Sequence, residues 1–129
     1  MVEKVGEIID QVILDTDCLI QLEKGDLSII NQLPETGRLF ITSITVFEFA
    51  LGNLFDSEKN RLDSYIVIPF NKEDGFLAAK ILKELKKQGE EIEFRDVMIG
   101  AICITHDIPI KTNNEKHFKR LEKYGLRLV

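Results

Sequence analysis

Val12-Ile-Leu-Asp-Thr-Asp-Cys-Leu-Ile20 is the stretch on which the reading of this chain turns. It opens as an apolar run of the kind that forms a buried strand, then meets Asp15 and Asp17. Apolar character resumes in Cys18, Leu19 and Ile20. A carboxylate just past a buried strand sits at the rim of a sheet, where open α/β folds place their ligand sites. A function built on Asp15 needs further polar groups delivered to that rim.

The flanking chain supplies the elements that would deliver them. Met1 to Asp10 reads as a lead-in with some helical character in Val5, Ile8 and Ile9, and Gln11 to Thr16 as the first strand. Asp17 is placed to cap a helix ending near Lys24 and Gly25, and Asp26 to cap a short one closed by Pro34. Strands follow at Arg38–Thr42, Ile66–Ile68 and Ile108–Thr112, with a terminal one at Leu126–Val129. Helices are expected over Ser43–Asn53, Ser57–Tyr65, Lys72–Gln88 (capped by Asn71), Arg95–Thr105 and Asn114–Tyr124. Helix 72–88 is amphipathic, with Phe76, Ala79, Leu82 and Leu85 among its apolar positions. Helix 43–53 is apolar nearly all round; Phe47, Phe49, Leu54 and Phe55 are divided between core and a dimer interface. This alternation implies a three-layer α/β/α fold around a central, mainly parallel sheet of four to five strands, with residues 1–129 as one domain.

Composition narrows the class. Apolar residues make up 44% and charged residues 30%, which suits a globular chain. No run is long enough to span a bilayer and the first residues lack a signal-peptide layout, so a cytoplasmic protein without membrane association is expected. Cys18 and Cys103 lie in apolar runs and read as buried free thiols. The net charge of −5 argues against generic nucleic-acid binding, yet it is unevenly spread. Residues 111–129 carry six basic and two acidic side chains, a surplus of four positive charges, so the rest of the chain carries −9. Both a solvated helix face and a polyanion contact account for that asymmetry.

Asp15, Glu48, Asp96 and Asn114 recur at comparable places, one ending a strand and the others near helix starts. Each has a structural reading: Thr45-Val-Phe-Glu48 as a capping box, Asp96 as a first-turn acid, Asn114 as a helix cap. In a parallel sheet, strand ends and the helix starts that follow share one edge, so all four would face one crevice. Three carboxylates there would repel unless a cation neutralised them, and Mg²⁺ or Mn²⁺ suits oxygen ligands. Arg95 is a phosphate-contact candidate on even terms with a structural role. Lys80, Lys83 and Lys87 read first as a solvated helix face, His106 as part of a helix end, and His117 as partly packed beside Phe118.

In these features the chain resembles the PIN-domain ribonucleases, in particular the VapC-type toxins of toxin–antitoxin pairs. The resemblance rests on Leu14-Asp-Thr-Asp-Cys-Leu-Ile20, Ser43-Ile-Thr-Val-Phe-Glu-Phe-Ala-Leu-Gly52, Arg95-Asp-Val-Met-Ile-Gly-Ala101 and Ile110-Lys-Thr-Asn-Asn114 leading to His117-Phe118. It implies a PIN-like fold, a metal-dependent endoribonuclease acting on tRNA, rRNA or mRNA, a homodimer and a small VapB-type antitoxin. By position it makes Asp15, Glu48 and Asp96 the metal-binding acids and Thr112 a site threonine. Asn114 falls where the family commonly has a fourth acid, so one firm cation is expected, and Asp17 has at most a supporting role. Other readings remain open at this stage. Asp15-Thr-Asp17 also resembles the Asp-x-Asp of haloacid-dehalogenase-type phosphatases; a non-cleaving PIN-like module binding RNA or protein is another, and an RNA-processing PIN nuclease without an antitoxin a third.

Overall fold

The central strand of the sheet is β3 (Gln11–Leu14), whose Val12, Ile13 and Leu14 are wholly buried. In the computed structural model, which describes residues 2–4, 7–34, 37–52 and 59–129, β3 is paired in parallel on both sides. One partner is β4 (Arg38–Thr42), which in turn pairs with β5 (Ile66–Ile68); the other is β6 (Ile110–Lys111). The order is therefore β5-β4-β3-β6, all parallel. A strand hydrogen-bonded on both edges and covered on both faces has no reason to alternate polar and apolar residues, which is why Val12–Leu14 is continuously apolar.

Helices cover the two faces. α1 (Thr16–Glu23) and α2 (Ser43–Leu51) lie over Val12, Leu14 and Ile41, forming a core with Cys18, Leu19, Ile29 and Phe49. α3 (Lys72–Lys87), α4 (Phe94–His106) and α5 (Glu115–Phe118) cover Ile13, Phe40, Ile68 and Ile110 on the opposite face. This is the expected three-layer arrangement, with four strands in the parallel sheet.

Several local expectations are revised. Residues 2–9 contain a hairpin, β1 (Val2–Lys4) antiparallel to β2 (Glu7–Ile9), rather than a helical lead-in; Val5 lies outside the described residues. The first strand ends at Leu14, and Asp15 rather than Asp17 caps α1, accepting from the Thr16 amide. Asp26 caps a 3-10 helix, Leu27–Gln32, and of the helix expected at 57–65 the described part is a 3-10 turn, Lys59–Leu62. The last helix is a single α turn continued as 3-10 helix over Lys119–Tyr124, stopped by Gly125 at φ 105°. The terminal strand reduces to one parallel bridge, Ile110 to Leu128. Of the aromatic residues divided between core and interface, Phe49 is buried and Phe47 exposed, while Leu54 and Phe55 fall outside the described residues.

α3 shows how the period decides the face. Asn71 and Asp74 form a reciprocal capping box, and from Asp74 the buried positions run through Ala78, Ile81 and Leu85. Phe76 and Ala79, expected among the apolar contacts, fall on the outer side; Phe76 is 71% exposed. Asp74 accepts hydrogen bonds from the Asn71 amide and the Thr105 hydroxyl, which tie α3 to α4. Both cysteines are buried and free.

Urea denaturation distinguishes the two faces of α3. Ile81→Ala should cost about 2–5 kcal/mol of stability, as truncation of a filled core site does. Phe76→Ala should stay within about 0.5 kcal/mol, as surface changes do.

Candidate active site

The sheet order creates one topological switch point. From β3 the chain moves through β4 to β5 on one side, then returns by α3 and α4 to β6 on the other. The crevice beyond the strand ends between β3 and β6 is where such folds bind ligands. The register there pairs Leu14 with Lys111, and Asp15 N–H donates to the Lys111 carbonyl at 2.9 Å. The next residues on the two strands, Asp15 and Thr112, are thereby set side by side.

Asp15 is 6% exposed, and the Thr112 hydroxyl donates to its Oδ2 at 2.7 Å. Its Oδ1 accepts from the Thr16 amide at 2.9 Å. Burial raises the Asp15 pKa, these two hydrogen bonds oppose the rise, and the charges of Asp17 and Glu48 add to it. Asp17 itself is exposed on α1, where it acts on Asp15 only through its charge.

Glu48 reaches the crevice from α2 because of how that helix begins. Thr42, the last residue of β4, is the cap; its hydroxyl accepts from the Thr45 amide at 3.1 Å. Glu48 is thus too far along the helix to close a capping box, and that expectation fails. Its Oε1 instead accepts from the Thr16 hydroxyl at 2.8 Å, while Oε2 faces Arg95 Nη1 at 3.8 Å. The Thr16 hydroxyl also lies 3.3 Å from that of Thr45, which is 3.3 Å from that of Thr42.

Asp96 sits in the first turn of α4, whose cap is Glu93. Glu93 accepts from the Arg95 amide at 2.8 Å and pairs with Arg95 Nε at 3.1 Å. Arg95 therefore lies between Glu93 and Glu48, not free to take a phosphate by itself. Burial first, then the charges of Asp15, Glu93 and Glu48, push the Asp96 carboxyl up to about 6; His117 pulls the other way. Asp15, Glu93 and Glu48 thus all act on Asp96 through their charge.

Asn114 stands at the start of α5 but makes no side-chain cap. Its amide faces His117 Nδ1 at 2.7 Å, and its backbone N–H donates to the Thr112 hydroxyl at 2.9 Å. His117 Nδ1 lies 3.7 Å from Asp96 Oδ2. His117 is half-buried between Asn114 and Asp96 while Phe118 enters the core, in keeping with the expectation of a partly packed histidine beside Phe118.

Of the residues singled out in sequence, contacts join Asp15 to Thr112, Thr112 to the Asn114 backbone, and Asn114 through His117 to Asp96, while Glu48 is reached through Thr16 and Arg95. Thr16 and Glu93 went unrecognised. Thr16 follows the strand-ending acid directly, and Glu93 stands three residues before Asp96; neither spacing reveals a hydroxyl or carboxylate that works by holding another side chain.

Among the described residues no three acidic, histidine or cysteine side chains stand close enough to enclose a metal ion. The donor chemistry nevertheless suits one. The groups are carboxylates and hydroxyls, hard oxygen donors, and the burial and like charges that raise Asp96 are what a divalent cation would offset.

Residues 12–124 match the PIN domain family. Ribonuclease VapC1 of Methanocaldococcus jannaschii is 32% identical to this chain over 130 residues, covering 92% of it and 86% of the relative. Ribonuclease VapC1 of Rickettsia felis is 30% identical over 129 residues, 92% of this chain and 94% of that protein. Among solved structures, VapBC-1 of nontypeable Haemophilus influenzae superposes with a TM-score of 0.74 at 26% identity, covering 92% of this chain and 96% of that one. The chain belongs to the PIN domain family. No helix among the described residues is long and apolar enough to cross a membrane.

Asp96 gives the site a pH signature. Its folded pKa lies above the ordinary value of 3.8, so the folded state holds a proton that the unfolded chain releases between about pH 4 and about pH 6. Stability should fall as pH rises through that window, and Asp96→Asn should remove this dependence. In EDTA the variant's gain in Tm over wild type should grow up to about pH 6 and then level off. A gain that is constant with pH would show that Asp96 is not under this strain.

Proposed function

We propose that this protein is a metal-dependent endoribonuclease, the toxin of a VapBC-type toxin–antitoxin pair. The observation that most supports the reading is the set of contacts tying Asp15, Thr112, Asn114, His117 and Asp96 together beside the β3–β6 register, with Asp96 raised by burial first and then by the charges of Asp15, Glu93 and Glu48. A protein that only bound RNA would gain nothing from gathering buried acids where a phosphate must approach. The relatives that match nearly the whole chain carry the name Ribonuclease VapC, which supports the same reaction class.

Asp15, Asp96 and Glu48 would hold a single Mg²⁺ or Mn²⁺. Bound there, the cation would act as a Lewis acid toward the scissile phosphate and lower the pKa of water. The chain's own groups have separate tasks. The Thr112 hydroxyl fixes the Asp15 carboxylate by donating to Oδ2, leaving its acceptor capacity turned to the crevice. The Thr16 hydroxyl holds Glu48 in the same way. Arg95, neutralised in part by Glu93 and Glu48, supplies positive charge beside the acids without closing the site to RNA. Asn114 and His117 border Asp96 and can orient water or a phosphate oxygen. In-line attack by water on phosphorus breaks the P–O3′ bond; one water proton is released and O3′ takes up a proton, leaving a 5′-phosphate and a 3′-hydroxyl.

A small VapB-type antitoxin and a second copy of the chain are the proposed partners. A solved relative of similar fold is a VapBC assembly, and exposed Phe47 and Leu51 on α2 provide apolar surface for protein contact.

The test is incubation of antitoxin-free protein with mixed tRNA and rRNA in Mg²⁺, Mn²⁺ or EDTA. Discrete cuts ending in 5′-phosphate are expected with metal only, and none from Asp96→Asn. Folded wild-type protein that leaves every RNA intact with either metal would overturn the nuclease reading. Thr112→Val and Thr16→Val keep side-chain volume but lose the supporting hydroxyl, and each should reduce cleavage about 10–100-fold, the usual loss when a ligand's hydrogen-bond partner is removed.

A further inference from the structure

Beside the acidic crevice lies a cavity of about 440 Å³, lined by Leu82, Lys86, Glu91, Ile92, Glu93 and His117. That volume is within the usual range of pockets for small organic groups, roughly 300–1,000 Å³. Two of its walls belong to the crevice as well. Glu93 caps the helix that carries Asp96, and His117 Nδ1 lies 3.7 Å from Asp96 Oδ2. A chain held over the acids would therefore pass the mouth of this cavity.

The lining is graded. Leu82 and Ile92 are half-buried and apolar, and the imidazole of His117 adds a flat face. Glu93 is engaged by Arg95 through both oxygens. The Lys86 ammonium and the Glu91 carboxylate, by contrast, make no hydrogen bond or ion pair among the described residues. An unpaired carboxylate and an unpaired ammonium thus border the cavity beside its apolar residues Leu82 and Ile92.

The surroundings favour a polyanion. Arg120 donates to the Glu91 carbonyl, and Lys123 Nζ donates to Gln88 Oε1 at 2.8 Å. These contacts bring the basic C-terminal segment, with its surplus of positive charge, against the loop that forms one side of the cavity. The acidic body and basic end recognised in the sequence therefore meet here.

We propose that this cavity receives an unstacked guanine of the RNA next to the phosphate held over the acids, and that Glu91 reads it. This rests on the RNA-cleaving reading and adds the base that the site selects. Sequence-specific recognition of RNA commonly takes bases splayed out of the strand into such pockets. A carboxylate accepts two hydrogen bonds side by side, and guanine alone among the four bases offers adjacent donors, N1–H and N2–H, on one edge. Its O6 acceptor, on the same edge, suits the Lys86 ammonium. Uracil presents a single N–H between two carbonyls and would set an oxygen against Glu91.

Fluorescence anisotropy with four labelled hexaribonucleotides differing only in one central base tests this, using the full chain at low salt with Ca²⁺, another oxygen-bound cation, to neutralise the acids. The guanine oligomer should bind wild type about tenfold more tightly than the uracil oligomer, the discrimination a good bidentate contact provides. Glu91→Ala should abolish the preference, so that the guanine and uracil oligomers bind alike; Glu91 is exposed, so the fold should tolerate the change. Ile92→Trp, which fills the cavity, should abolish the preference too. Equal affinity of wild type for all four oligomers, absence of binding, or a guanine preference that survives Glu91→Ala would overturn the proposal. Metal-dependent cleavage without base preference would reject this subsite and keep the nuclease. A Glu91-dependent preference without cleavage would do the reverse.

Discussion

The parallel register between β3 and β6 is the constraint on which the site depends. Because Leu14 is opposite Lys111, the next residues on each strand, Asp15 and Thr112, emerge together at the rim, and the hydroxyl of one fixes the carboxylate of the other at 2.7 Å. A slip of one residue would turn the apolar set of β3 to the wrong faces and separate this pair. The cores on both sides of the sheet oppose such a slip: Ile13 packs on one face, Val12 and Leu14 on the other. Burial that stabilises the fold therefore also positions the chemistry.

The same end of the sheet collects its other charges through helix starts. Asp15 caps α1, Thr42 caps α2 and Glu93 caps α4. These residues satisfy exposed amides of the first helical turns, and each sits directly before a helix whose early residues line the crevice. Thr16 and Asp96 lie in the first turns, and Glu48 is one turn further along. The acids are thus placed by capping geometry, and their mutual repulsion is contained within a crevice bordered by Arg95 and His117.

Much of this was legible in the residues. The apolar run 12–14, the punctuation by Gly25, Pro34, Pro69 and Gly125, and the alternation of strand and helix patterns led to the layers and the parallel sheet. Asp15, Glu48, Asp96 and Asn114 followed from a rule about where strand ends and helix starts meet, and Thr112 from the resemblance to PIN-domain ribonucleases. What stayed hidden depended on phase and on side-chain partners. Phe76 looked like core because it is aromatic, but the face of α3 is set by the positions that Ile81 and Leu85 share. Thr45 looked like a cap because Glu48 lies three residues on, yet the strand ends one residue before Ser43, which gives the cap to Thr42. Thr16 and Glu93 act by holding Glu48 and Arg95, a role that no spacing announces.

The central claim is that Asp15, Glu48 and Asp96 form one cation site at the switch point of the sheet. Calorimetric titration of Mn²⁺ into EDTA-stripped, dialysed protein tests it most directly, comparing wild type with Asp15→Asn at pH 5 and pH 8. Wild type should bind a single ion at pH 8 and bind it more weakly at pH 5, where Asp96, with its pKa near 6, must first give up a proton. Asp15→Asn should lose the site at both pH values. Folded wild type that binds no Mn²⁺, or binding that Asp15→Asn leaves intact, would contradict the account.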